Sequence, residues 1–212
     1  MYQKLFLAAC LALTLSGCKQ DERTFALIKT DLGTMRVMLY DETPLHRDNF
    51  VKLAREGYYD SLLFHRVIQG FMIQGGDPDS KYAGPSQILG MGGPGYQVDN
   101  EIGFPHFRGV IAAARDNNPQ KRSSGSQFYI VQGSQVTTSL LDQVEAKKKF
   151  EYSDAQRKVY IQEGGTPTLD GDYTVFGELV DGFDVLDSIA ARPTGPYDRP
   201  LRDIRMTVRI DD

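Results

Sequence analysis

In DIRMTVRID (203–211) the apolar residues Ile204, Met206, Val208 and Ile210 fall on every second position. That period predicts a strand, because successive side chains on a strand point to opposite faces. YTVFGELV (173–180) alternates in the same way, and FALIKTDLGTMRVMLY (25–40) reads as two strands joined by a turn at Asp31-Leu32-Gly33. Residues 62–74 are strand-like, and GVIAAAR (109–115) and SQFYIVQ (126–132) read as buried strands. Helical signals interrupt this pattern. Thr43-Pro44 reads as N-cap and first helical position, with Leu45, Phe50, Leu53 and Ala54 on the apolar face and Gly57 as the stop. Ser139 to Asp142 and Ser153 to Gln156 resemble helix starts, the second a capping box, so 139–163 is predicted helical and is highly charged. Asp184 is placed to cap a short helix carrying Val185, Leu186 and Ile189. Residues 77–108, rich in Gly, Pro, Asn and Asp, predict a long ordered loop. Many strands with two peripheral helices predict a mainly β fold, a closed barrel without exposed edges. The chain has no internal repeat and no low-complexity tract.

The richest segment for chemistry is FHRVIQGFMIQGGD (64–77). Read as strand, it puts Arg66, Met72 and Gln74 on one parity, hence on one face, with Phe71 nearby. Gly75 and Gly76 then allow a sharp turn. A polar pair beside an apolar cup suits a ligand that is greasy at one end and amide-like at the other. A strand with one charged face fits the same spacing.

Composition narrows the class. Of the 212 residues, 41% are hydrophobic and 25% charged, which gives an ordinary globular core. A net charge of −4 supplies no basic field for nucleic acid. At the N-terminus, Lys4 precedes an apolar run from Leu5 to Leu15, shorter than the ~20 residues a spanning helix needs. The run ends in Leu15-Ser16-Gly17-Cys18, which resembles a bacterial lipobox; an ordinary secretory signal with an incidental cysteine is the alternative. The lipobox reading makes residues 1–17 a signal peptide, Cys18 the lipidated residue and 18–24 a tether. It places the protein in the cell envelope, lipid-anchored to a bacterial membrane, in the outer membrane with a periplasmic or surface-facing domain. Cys10 and Cys18 are the only cysteines, so no disulfide is expected.

Two other motifs fail on context. Gly90-Met91-Gly92-Gly93-Pro94-Gly95 satisfies G-x-G-x-x-G, yet it lies in the predicted loop rather than between a strand and a helix. His46, His65 and His106 lack the close spacing of zinc ligands. His46 is expected at the surface, and His65 as a brace of the strand or the site's rim.

The segment FHRVIQGFMIQGGD, followed by GSQFYI (125–130) and LDGDYTVFG (169–177), resembles the cyclophilin family of peptidyl-prolyl cis–trans isomerases. GGPGY (92–96), RGVIAAAR (108–115) and the helix carrying Asn49-Phe50 agree. The likeness covers Phe25 to the C-terminus, apart from an insertion at 136–165. It implies a closed antiparallel barrel of about eight strands capped by two helices. It implies Arg66 as the catalytic arginine and Gln74 as the amide that orients it. Phe71 and Met72 become floor and wall of a proline pocket, with Tyr129 and Leu169 beside them and Gln127 next to it. Ala114 and Arg115 stand where the backbone holds the residue before proline, Arg115 replacing a common Asn. Tyr173 stands where many members carry His. Tyr129 replaces a common Phe, so its hydroxyl must reach solvent or a partner, or it costs roughly 1–3 kcal/mol. Thr168 stands where many eukaryotic members have Trp, and the chain has no Trp at all, so weak cyclosporin binding is expected. No cofactor or metal is implied. The expected activity is isomerisation of X–Pro bonds in exported proteins (EC 5.2.1.8), acting on proline-containing peptides and unfolded chains. The alternative is a membrane-tethered peptide-binding chaperone with little catalysis. The insertion reads either as a solvated helical hairpin or as a substrate-guiding element at the pocket rim.

Overall fold

The computed structural model describes residues 23–211, so the proposed signal, Cys18 and most of the tether lie outside the described residues. The strands are β1 (Thr24–Thr30), β2 (Gly33–Leu39), β3 (Leu62–Ile68), β4 (Met72–Gly75), β5 (Gln97–Val98), β6 (Val110–Ala113), β7 (Ser123–Ser124), β8 (Phe128–Val131), β9 (Val175–Asp181) and β10 (Arg205–Ile210). Eight of them close a barrel in the order β1-β10-β3-β4-β8-β6-β9-β2, while β5 and β7 pair separately. Every barrel pairing is antiparallel. The barrel and the alternation of its strands match what the sequence predicts.

Inside lie Ile28, Val37, Phe64, Ile73, Ile111, Phe128, Ile130, Phe176 and Val208, all buried. The opposite parity of β4, β6 and β8 builds a second apolar cluster outside the wall: Met72, Val110, Ala112, Tyr129 and Val131. That outer cluster carries the site. The segment 64–77 is not one strand but two, turning at Gly70, which has φ +76°. A register shift between Phe64 and Arg66 inserts His65 as a bulge. Phe64 and Val67, three residues apart, therefore both enter the core. Arg66 pairs with Gln74 and Ile68 with Met72. Arg66, Met72 and Gln74 do share a face, because the turn sets Arg66 opposite Gln74 and Ile68 opposite Met72 with no break in register.

The helices are α1 (Pro44–Arg55), α2 (Thr138–Lys148), α3 (Asp154–Glu163) and α4 (Phe183–Ala190). Helix α1 buries His46, Phe50, Leu53 and Ala54. Leu45 is half exposed and His46 takes its place inward, one position round the helix. His46 is thus not a surface residue: its ring bridges Glu101 (2.7 Å) and Ser123 (2.9 Å). Thr43 does not cap α1 with its side chain. Instead the Glu101 carboxylate accepts from the Leu45 and His46 N–H groups, a negative charge at the positive end of the helix. Helix α2 starts earlier than the Ser139 signal, with the Thr137 hydroxyl accepting from Leu140 N–H. The Ser153–Gln156 capping box of α3 is present as predicted. At α4, Gly182 is the N-cap rather than Asp184, which sits in the first turn. Gly182 has φ +89°, and a Cβ there would meet the Thr34 carbonyl at 2.5 Å.

One buried carboxylate pins the first part of the 77–108 loop. Asp77 accepts from Asp79, Gly90 and Gly92 N–H groups. A Cβ on Gly92 would collide with it at 2.1 Å. The G-x-G-x-x-G glycines thus wrap a side chain of the protein itself. Helices α2 and α3 form a hairpin with its own small core of Leu141, Val144, Tyr152 and Tyr160.

Candidate active site

Register alone aligns a row of side chains on the outer barrel face. Arg66 pairs with Gln74, Gln74 with Tyr129, and Tyr129 with Ala112, across four strands. A cavity of about 180 Å³ opens on this row. Arg66, Gln74, Phe71, Met72, Ala114, Arg115, Tyr129, Leu169 and Tyr173 line it. Of the site residues read from the sequence and within the described residues, only Gln127 lies one step away. It lines an adjoining cleft with Gly90, Met91, Gly92 and Tyr96, which shares Gln74, Ala114 and Arg115 with the cavity.

The guanidinium of Arg66 is held through a chain of amides. Its Nη1 donates to Gln74 Oε1 (3.4 Å), Gln74 Nε2 donates to Gln127 Oε1 (3.1 Å), and Gln127 Nε2 donates to the Gly92 carbonyl (2.7 Å). Each amide presents oxygen to one neighbour and nitrogen to the next, so the chain has one direction. On the other side Arg66 Nε donates to Asp198 Oδ2 at 3.3 Å. Nη2 has no partner among the described residues, and Arg66 lines the cavity. A planar donor fixed at two points keeps one N–H pair available in a set direction.

The cup itself is aromatic and aliphatic. Tyr173 meets Tyr129 edge-on at 5.8 Å. Arg115 does not project its charge freely: it lies over the Tyr173 ring at 4.9 Å and donates to the Asp172 carbonyl. Leu169 sits in a 3-10 turn, Pro167–Leu169, whose Thr168 carbonyl accepts from Lys148 of α2. The Tyr129 hydroxyl finds its partner in the buried His106, at 2.9 Å. Burial is the main reason its pKa stays well above the ordinary tyrosine value, so it remains a neutral O–H.

Sequence reasoning missed two neighbours. Asp198 lies 132 residues from Arg66, in a Pro-flanked turn with nothing local to mark it. His106 has no zinc-ligand spacing, and the only sequence signal near it is that the Tyr129 hydroxyl needs solvent or a partner; the structure supplies His106. His65, expected to brace the strand or the rim, is buried, and neither ring nitrogen has a hydrogen-bond partner among the described residues.

Comparison with known proteins places the chain in a family. The family model for cyclophilin-type peptidyl-prolyl cis–trans isomerase/CLD matches residues 25–209. A Staphylococcus saprophyticus protein named for peptidyl-prolyl cis–trans isomerase activity is 38% identical over 179 residues, covering 84% of this chain and 86% of that one. A Streptococcus pyogenes protein named for both phosphatase and peptidyl-prolyl cis–trans isomerase activities is 40% identical over 192 residues. The match takes in 87% of this chain but only 38% of that longer protein. Among solved structures, a Cryptosporidium parvum cyclophilin superposes with a TM-score of 0.66 at 27% identity, covering 90% of this chain and 98% of that one. It has also been crystallised in the presence of the dipeptide Ala-Pro. The chain belongs to the family of cyclophilin-type peptidyl-prolyl cis–trans isomerases.

Proposed function

We propose that the cavity beside Arg66 receives the proline ring of an unfolded exported chain, and that Arg66 catalyses rotation about the preceding bond. The observation that carries this reading is a guanidinium held on two sides, with Nη2 unpartnered among the described residues, at the wall of an apolar cup. A peptide bond resists rotation by ~18–20 kcal/mol because the nitrogen lone pair is delocalised into the carbonyl. Twisting the bond localises that pair on nitrogen and makes it an acceptor. A fixed N–H donor aimed there favours the twisted state over either planar one. Phe71, Met72, Tyr129 and Leu169 surround the ring and exclude water, which strengthens the donor's effect. Gln74 holds the donor, and Ala114 and Arg115 border the path of the residue before proline. The Ala-Pro dipeptide of the Cryptosporidium protein supports a proline-containing ligand.

The lipobox-like Leu15-Ser16-Gly17-Cys18 supports a place in the cell envelope, tethered by acyl chains on Cys18. There, X–Pro isomerisation taking tens to hundreds of seconds would limit the folding of exported proteins. Two measurements test the reading. The purified domain should accelerate the proline-limited refolding of a substrate protein, and binding without acceleration would leave a chaperone instead. Labelled palmitate should enter the full chain in bacteria and be lost in Cys18→Ala; labelling that survives the substitution would remove the anchor.

A further inference from the structure

We infer that Asp170 is a positioning residue for the proline pocket, held in place by the α2–α3 hairpin and acting on Tyr129 through His106. This inference rests on the cavity being the isomerase site. Asp170 is only 4% exposed and accepts four hydrogen bonds. Its Oδ1 takes the backbone N–H and the ring Nδ1–H of His106, each at 2.7 Å. Its Oδ2 takes the hydroxyls of Tyr152 (2.6 Å) and Tyr160 (2.5 Å). A carboxylate offers about four acceptor positions, so none is spare. With Nδ1 committed to the carboxylate, Nε2 of the same His106 ring meets the Tyr129 hydroxyl at 2.9 Å.

Every member of the chain from Tyr152 and Tyr160 to Tyr129 is buried, and its last ring is a wall of the cavity. Burial and the adjacent carboxylate both push the Tyr152 and Tyr160 hydroxyls up, so both remain donors. Lys148 of the same hairpin donates to the Thr168 and Asp170 carbonyls and fixes the turn that carries Leu169. The hairpin thus reaches two walls of the cup without touching a ligand. Its two tyrosines set the carboxylate, the carboxylate sets the imidazole, and the imidazole sets the ring against which proline packs.

The experiment is a double-mutant cycle on turnover of a proline peptide, with urea unfolding of each variant in parallel. The Tyr152→Phe/Tyr160→Phe pair removes two oxygens and keeps the packing. It should lower kcat/KM about five- to tenfold, mainly through KM. In the Tyr129→Phe background the same pair should change kcat/KM by less than about twofold, while its effect on stability stays the same. An equal loss in both backgrounds, or no loss, overturns the inference. Asp170→Asn should repeat the pattern, and should it fail to fold, the Tyr→Phe pair still decides. Ring-labelled NMR of Tyr129 needs no turnover. The pair should speed the Tyr129 ring flip, and an unchanged rate overturns the inference. Full activity in Arg66→Ala would refute the catalytic reading alone and leave the ring measurement to judge the network.

Discussion

Arg66 reaches the outer face of the barrel because the chain spends one extra residue, His65, just before it. Its two tethers are unequal. Gln74 is anchored through Gln127 to the loop backbone, whereas Asp198 and Arg66 are each nearly half exposed. An exposed pair of this kind contributes about 0–1 kcal/mol to stability. Asp198→Asn is therefore expected to leave the urea midpoint unchanged and to lower kcat/KM about two- to fivefold through a less ordered guanidinium. Wild-type kinetics in that variant would show that Gln74 alone orients the arginine. At the rim, Thr168 is exposed, and the chain has no Trp to donate a hydrogen bond from this position. Cyclosporin A is accordingly expected to inhibit the purified domain only weakly, and nanomolar inhibition would contradict this.

At the scale of elements, the α2–α3 hairpin is fastened to the pocket rim by charge as well as by tyrosine. Lys148 of α2 and Lys121 both grip Asp172, at 2.7 and 2.8 Å. Burial alone would raise the Asp172 pKa, but the two lysines outweigh it and bring it to about 2. The unfolded value is about 3.9, so the folded form binds its proton less readily. That stabilisation is complete above about pH 4 and is lost as pH falls towards about 2. The side chain is about a third exposed, so the effect is small, about 1 kcal/mol or less. The stability gap between wild type and Asp172→Asn should be present at pH 7 and shrink between pH 4 and pH 2; a gap independent of pH would rule out the ion pair as its source. Strands β1, β2, β9 and β10 and the α3 capping box were legible because period and caps are local signals. The β3 bulge and the Glu101 cap on α1 were not, since each depends on a partner brought in from elsewhere in the chain.

Across the whole molecule, buried histidines make stability depend on pH. Burial is the leading cause that lowers both His46 and His65, the latter to about 4. A base with a lowered folded pKa is protonated first in the unfolded chain. Stability is therefore full above about pH 6.5 and declines as pH falls towards about 4. His65 should account for roughly 2 kcal/mol of loss between pH 7 and pH 5, and His65→Phe should flatten that part of the profile. An unchanged slope in the variant would show that His65 is not the titrating group. The burial of His46 is not legible in the sequence: on α1 it follows Leu45 by one position, and only packing decides which faces inward. The cavity lining was legible because Arg66, Phe71, Met72, Gln74, Tyr129 and Leu169 fall in three ordered motifs. Asp198 and Asp170 were not, because their significance exists only once the barrel closes and the hairpin docks.

The most direct test is exchange NMR of cis and trans Ala-Pro peptide in the presence of wild-type protein and Arg66→Ala. Wild type should speed exchange, and Arg66→Ala should be slower by about 10²–10³-fold while its fold and unfolding midpoint are retained. Exchange at wild-type rates in a folded Arg66→Ala protein would contradict the assignment of Arg66 as the catalytic donor.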